Sequence, residues 1–176
     1  MADCMVDIET CGTGPDACIL TIAAQCFDPL VRRPHKQLRS YYARISIDSQ
    51  PDRNIEQSTI DWWATQPAAA KDEAFGEEGR IPLAQALEEL GVLIWQSKHF
   101  WALGPTFDAT ILEHAYKSHN INMPWKYYSV RDSRTVYSLC PALNKYPASH
   151  HALEDCRRQI DMLQATLKYL NIKELA

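Results

Sequence analysis

Three stretches near the start of the chain alternate apolar and polar positions with the period of a β-strand. Residues 4–9 set Cys4, Val6 and Ile8 against Met5, Asp7 and Glu9. Residues 18–26 put Cys18, Leu20, Ile22, Ala24 and Cys26 on one face, and residues 41–47 do likewise with Tyr41, Ala43, Ile45 and Ile47. The links between them, C-G-T-G-P-D and D-P-L-V-R-R-P-H, are short and rich in turn formers, which predicts an antiparallel meander. Beyond residue 50 the period lengthens. Ser58 to Trp63 reads as a short capped helix ended by Pro67, and Pro82 suits the first turn of a longer helix with the stripe Leu83, Leu87, Leu90 and Ile94. His99 to Leu103 reads as a strand broken by Gly104-Pro105, followed by a helix over 106–118 and a weaker strand near 127–130. The last segment is the clearest helix: Leu153, Cys156, Ile160, Leu163, Leu167 and Leu170 form a continuous apolar stripe. No repeat, low-complexity tract or linker interrupts this order, so residues 1–176 read as one α/β domain.

Composition narrows the class. Apolar residues make up 46%, which excludes a disordered chain. The net charge of −4, with no block of five like charges, argues against gripping long nucleic acid through its phosphates alone. A nucleic-acid substrate would be held over a short stretch, with metal ions supplying positive charge. The six cysteines contain no C-x-x-C pair, and Cys4, Cys18 and Cys26 fall at apolar strand positions, as buried free thiols do. The N-terminus, M-A-D-C-M-V-D, lacks the basic and apolar regions of a signal peptide, and no apolar run approaches the roughly 20 residues of a membrane span. The expectation is a soluble cytoplasmic enzyme that does not engage a membrane.

Asp7 and Glu9 disturb this picture, because charged residues are normally excluded from a core strand. Two apart, they share a face, roughly 7 Å from each other at Cα. A solvated face would explain them alone. Asp108 follows a strand at a helix start, in G-P-T-F-D, and Asp155 lies one turn into the last helix, in H-H-A-L-E-D. Each would also be favoured there by the helix dipole alone. The four together form a pattern that chance rarely supplies.

D-I-E-T near the N-terminus, a central F-D on a helix start, and H-x-A-x-x-D opening a late helix resemble the three exonuclease motifs of DnaQ-like 3′-to-5′ exonucleases of the DEDDh type. T-I-D-W-W-A-T-Q at 59–66, P-W at 124–125 and R-D-S-R-T at 131–135 resemble a subgroup of compact phage and bacterial exonucleases. The resemblance implies a ribonuclease H-like fold: a central five-stranded mixed sheet, order 3-2-1-4-5, flanked by helices. It implies hydrolysis of single-stranded DNA or RNA from a free 3′ end to nucleoside 5′-monophosphates, and a homodimer. It also implies that Asp7 bridges two divalent ions, that Glu9 and Asp155 complete the first site, and that Asp108 holds the second mainly through water.

The chemistry accounts for these residue types. Two ions about 4 Å apart activate a water and brace the leaving oxygen of a phosphodiester, and hard oxygen ligands suit Mg²⁺ or Mn²⁺. Four packed carboxylates repel one another unless cations lie between them. His150 satisfies the H-x-A-x-x-D motif, and a neutral imidazole can take the proton of the attacking water. His151 occupies the variable position, and Ser149 is a good N-cap candidate. Adjacent tryptophans on a helix cannot face one way. One is expected in the core and the other stacked on a terminal base, with Trp63, on one face with Thr59 and Gln66, favoured for the base; a core pair of both remains open. Thr10 and Gln66 join Trp63 as substrate contacts. Arg131 and Arg134 suit phosphate contacts or a structural ion pair with Asp132 equally well. Leu103 stands where relatives often carry a polar residue. Two other readings remain at this stage: a ribonuclease H-like endonuclease, and a non-catalytic binding module on the same fold.

Overall fold

The computed structural model describes residues 2–143 and 149–175. A six-stranded sheet of order β4-β3-β2-β1-β5-β6 runs through the middle. Its first three strands, β1 (Asp3–Thr10), β2 (Ile19–Phe27) and β3 (Ser40–Ile45), form the antiparallel meander. β5 (Phe100–Ala102) and β6 (Val130–Asp132) add parallel to β1 on the other side. The expected five strands stand in the expected order. The sixth, β4 (Arg80–Ile81), is a two-residue edge strand parallel to β3, too short to leave any periodicity in the sequence.

Helices cover both faces. α3 (Leu83–Ile94) and α4 (Pro105–Ser118) pack on one side, where Cys4, Val6, Ile8, Ile22 and Ala24 meet Leu87, Leu90, Leu112 and Tyr116. α6 (Ala152–Tyr169) lies on the other, against Met5, Ala23, Phe27 and Trp101. A third, smaller cluster sits beneath α1 (Gln57–Ala64) and α2 (Ala68–Phe75). The short α5 (Ser133–Ser138) follows β6 directly. All six cysteines are buried and unpaired, and no helix among the described residues is long and apolar enough to cross a membrane.

Several expectations need correction. The five apolar residues of 18–26 do not share a face: Ile22, Ala24 and Cys26 join the α3–α4 core, whereas Cys18 and Leu20 join the cluster under α1 and α2. The register between β1 and β2 shifts at Glu9/Thr10, so that Glu9 opposes Thr21 but Thr10 opposes Ile19. The extra residue of this bulge reverses the alternation beyond it. Ile47 falls past the end of β3 and joins the smaller cluster as well. The weak strand is at 130–132 rather than 127–130, where a short 3-10 turn lies instead. α1 begins after Glu56, not Ser58, and the N-cap of α6 is His151, not Ser149.

Candidate active site

The bulge lies beside the two strand carboxylates. Asp7 opposes Ala23 and Glu9 opposes Thr21 in the regular ladder that ends there. Both point to the α6 side, where Asp155 and Gln159, one turn apart, interrupt that helix's mostly apolar buried face. On the neighbouring parallel strand, the chain turns at Gly104 (φ +89), enters α4 through Pro105, and delivers Asp108 in the first turn. The Ile8 amide donates to Asp108 Oδ1 over 3.2 Å, fastening α4 to β1. Asp7, Glu9, Asp108, His150 and Asp155 thereby line one cleft of about 400 Å³, together with Leu103, Phe107, Arg134, Tyr137, Arg158, Gln159 and Met162.

One oxygen each from Asp7, Glu9 and Asp155 lies within 4.8 Å of the other two, close enough for a single cation to touch all three. Asp155 is held firmly. The Ser149 amide and hydroxyl donate to its Oδ1 at 3.0 and 2.8 Å, the His150 amide donates to its Oδ2 at 2.9 Å, and Arg158 pairs with Oδ1. Ser149, expected as a cap, instead orients this carboxylate. The Gln159 amide donates to Asp7 Oδ1 at 2.7 Å, while its own Oε1 is buried without a partner.

The electrostatics are those of a site built for positive charge. Burial, then the Asp108 and Glu9 charges, hold the Asp7 carboxyl well above the usual carboxylate range. Burial and Asp108 push Glu9 up to about 8. Burial pushes Asp108 up to about 7 against the Ile8 amide and the Arg134 charge, which favour its ionised form. An all-oxygen donor set with this much unbalanced repulsion fits hard divalent cations.

His150 adopts a left-handed backbone (φ +58), which turns its ring towards Glu9: Nδ1 is 4.0 Å from Oε1. Burial and the Arg158 charge lower its pKa below 6.5, favouring the neutral ring. His151 turns elsewhere. Its ring lies 5.2 Å from that of Tyr42 and its Nε2 is 3.8 Å from Glu73, whose carboxylate also binds Arg44 and the Tyr42 hydroxyl.

A second recess of about 400 Å³ opens beside the cleft at Glu9, lined by Thr10, Gly12, Thr13, Ser58, Thr59, Trp62, Trp63 and Phe107. The two tryptophans have the reverse of their expected facing. Trp63 is 2% exposed, its Nε1 donates to Thr10 O at 2.9 Å, and Phe75 meets it edge-on. No ring face remains for a base. Trp62 is 43% exposed and stands edge-on to His150, with ring centroids 5.0 Å apart. The cause is the bulge, which turns Cys11, Cys18 and Leu20 under α1 and makes the Trp63 face the buried one. Thr10 spends its hydroxyl on Gly12 O and its carbonyl on Trp63, so it braces the recess. Gln66 folds back onto Trp62 O and Thr65 and lines neither space. Among the residues in these two spaces that sequence reasoning missed are Phe107, Tyr137, Arg158, Gln159 and Met162 of the cleft and Gly12 and Thr13 of the recess. Only Gln159 left a mark in the pattern, as a polar residue on the buried face of α6 one turn after Asp155.

An acid-lined cleft at the ends of adjoining parallel strands, with a histidine over it, defines a nuclease of the ribonuclease H-like class. The family comparison agrees: the chain matches the Rv2179c-like 3′-5′ exoribonuclease domain over residues 2–167 and belongs to that family. It is a 3′-5′ exonuclease of the DnaQ-like type. The exodeoxyribonuclease of Enterobacteria phage T4 is 26% identical over 208 residues, covering 96% of this chain and 90% of the phage protein. Escherichia coli exonuclease I, solved with zinc and single-stranded DNA, superposes with a TM-score of 0.65 at 16% identity, over 97% of this chain. This chain spans only 42% of exonuclease I. Pop2p of S. pombe, solved with Mg²⁺ and Mn²⁺, superposes at 0.64 with 12% identity, over 98% of this chain and 86% of Pop2p.

Proposed function

We propose that residues 1–176 act as one catalytic domain that hydrolyses single-stranded DNA or RNA from a free 3′ end and releases nucleoside 5′-monophosphates. The observation that carries this reading is the junction at Glu9 of an acid-lined cleft and an apolar recess. The recess has room for one terminal nucleoside, with Trp62 offering an exposed ring for stacking. The phosphate 5′ to that nucleoside would then lie among the carboxylates.

Asp7, Glu9 and Asp155 would hold one Mg²⁺ or Mn²⁺, and Asp108, with one oxygen held by Ile8, would contribute to a second. Such ions, when bound, neutralise the phosphate oxygens and make the attacking water more acidic. His150, neutral at pH 7 by its depressed pKa, takes that water's proton. Gln159 fixes the orientation of Asp7. DNA and RNA are both represented in the names of relatives, so the sugar is a matter for assay. A homodimer in a reducing cytoplasm completes the proposal. The six buried thiols suit that compartment, and light scattering that gives a monomer would remove the dimer.

Matched 3′- and 5′-labelled DNA and RNA oligonucleotides, digested with Mn²⁺, Mg²⁺ or chelator, test the reading. The 3′ label should emerge as mononucleotide and the 5′ label as a shortening ladder, only with metal. Cleavage of circular single strands, or activity in chelator, would overturn it.

A further inference from the structure

The cleft has a second wall, of residues that do not line the Trp62 recess, Leu103 and Arg134 among them. The sheet order sets β5 and then β6 beyond β1, so α5, following β6, lies roughly two strand spacings, about 10 Å, from the strand bearing Asp7 and Glu9. Arg134, on α5, reaches into the cleft from there. Its guanidinium lies across the bare face of Gly104, where a Cβ would meet Nη2 at 3.4 Å and Cζ at 3.6 Å. Nη2 donates to Leu103 O at 3.2 Å. Asp132 does not pair with it. That carboxylate accepts instead from the Gly104 amide (3.1 Å), the Arg134 amide (3.0 Å) and the Thr135 hydroxyl (2.6 Å), which locks the β6–α5 turn onto the start of α4.

Among the described residues, no carboxylate lies within ion-pair distance of Arg134. The other cleft arginine, Arg158, is committed to Asp155. An exposed, anchored guanidinium with most of its donors unused, beside a cleft that takes phosphodiesters, suits an anion on the substrate. We propose that, with the terminal nucleoside in the recess and the scissile phosphate over the carboxylates, the strand leaves along the Arg134 side of the cleft and Arg134 binds the phosphate one nucleotide upstream of the scissile bond. This rests on the exonuclease reading above. The contact is blind to sugar, so its loss weakens DNA and RNA alike.

The test compares two substrates with Mn²⁺. A single-stranded oligonucleotide carries the upstream phosphate. The p-nitrophenyl ester of thymidine 5′-monophosphate lacks it: water attacks the phosphorus, the bond to the aryl oxygen breaks, and p-nitrophenolate leaves in place of the strand. Arg134→Gln removes the charge and shortens the side chain, leaving a polar amide that falls short of the Nη2 position beside Leu103 O. It should lower kcat/KM on the oligonucleotide by about 10- to 100-fold, mostly through KM, and lower it on the aryl ester at least tenfold less, the residual loss coming through kcat from the Arg134 charge that favours ionised Asp108. Arg134→Lys should recover part of the loss, and Arg134→Gln should flatten the salt dependence of oligonucleotide binding by about one phosphate contact. Equal losses on both substrates would assign Arg134 to the scissile phosphate or to folding, and no loss on either would leave it without a substrate role. Either result overturns the proposal. Wild-type protein inactive on both substrates would instead overturn the exonuclease reading itself.

Discussion

Replacing Trp62 and Trp63 separately by alanine should divide substrate binding from folding. Trp63 is 2% exposed. Burying a tryptophan removes about 150–250 Å² from water, worth about 4–6 kcal/mol at about 25 cal/mol per Å² as an upper bound. Its surroundings offer little to refill the hole. The buried members of that cluster are Cys11, Cys18, Leu20, Ala70 and Ala74, mostly small and fixed by strand or helix backbone. Trp63→Ala should therefore cost about 3–5 kcal/mol, or about 6–20 °C in Tm for a chain of this size. Trp63→Phe keeps most of the packing but removes the donor to Thr10 O, and should cost about 1 kcal/mol beyond the lost volume. Trp62, 43% exposed, is held by edge-on contacts to Trp63 and His150 and should cost only about 1 kcal/mol of stability. Trp62→Ala should instead weaken binding by about 1–3 kcal/mol, roughly 5- to 150-fold in Kd. Denaturant melts and anisotropy with an oligonucleotide ending in a hydrolysis-resistant 3′-phosphorothioate measure both quantities. Normal affinity in Trp62→Ala would remove the stacking platform, and an undiminished melt in Trp63→Ala would refute the facing described here.

Three further outcomes follow from the cleft. In chelator, the raised pKa values of Asp7, Glu9 and Asp108 mean that the folded state binds protons more tightly than the unfolded one, so their contribution to stability is full below pH 4 and is lost as pH rises, through about 7 for Asp108 and about 8 for Glu9. His150, with its lowered pKa, acts oppositely below pH 6.5, so melts between pH 6.5 and 8 should show stability falling with pH. Glu9→Gln should flatten that slope, and a wild type insensitive to pH in this window would contradict the crowding of charge. Mn²⁺ should raise the wild-type Tm by mass action, whereas Asp7→Asn should gain little and lose hydrolysis; equal gains in both would remove Asp7 from the metal site. His150→Ala should keep metal and oligonucleotide binding but lose roughly 10²–10⁴ in turnover, with His151→Ala affected far less; the reverse order, read from single-turnover rates, would exchange the roles of the two histidines.

The sequence made the sheet legible because its three long strands carry period-2 runs that survive on either side of the bulge, and the carboxylates legible because Asp7 and Glu9 sit where a strand should carry apolar residues. What stayed hidden has separate physical causes. β4 is two residues long and exists only through its pairing with β3, so it leaves no period to find. α2 buries only Ala70 and Ala74, and two small residues make no stripe. Arg134 could not be told from Arg131 until β6 was fixed at 130–132, because a shift of a residue or two changes which arginine follows the strand end and which turns back onto Tyr128 O.

The tryptophans had a deeper cause. Which side of a helix is buried depends on the surface beneath it, and that surface is set by the bulge at Glu9/Thr10, where periodicity assumes an unbroken ladder. The same irregularity ends the ladder just past the second carboxylate and leaves the Thr10 carbonyl to receive the Trp63 indole. That bond fixes the rotation of α1, which in turn exposes Trp62 over the recess that Glu9 shares with the cleft. Removing the extra residue, for example by deleting Leu20, would restore uniform alternation in β2 and bury Trp63 no longer. The acids would keep their strand, and the recess would lose its tryptophan wall.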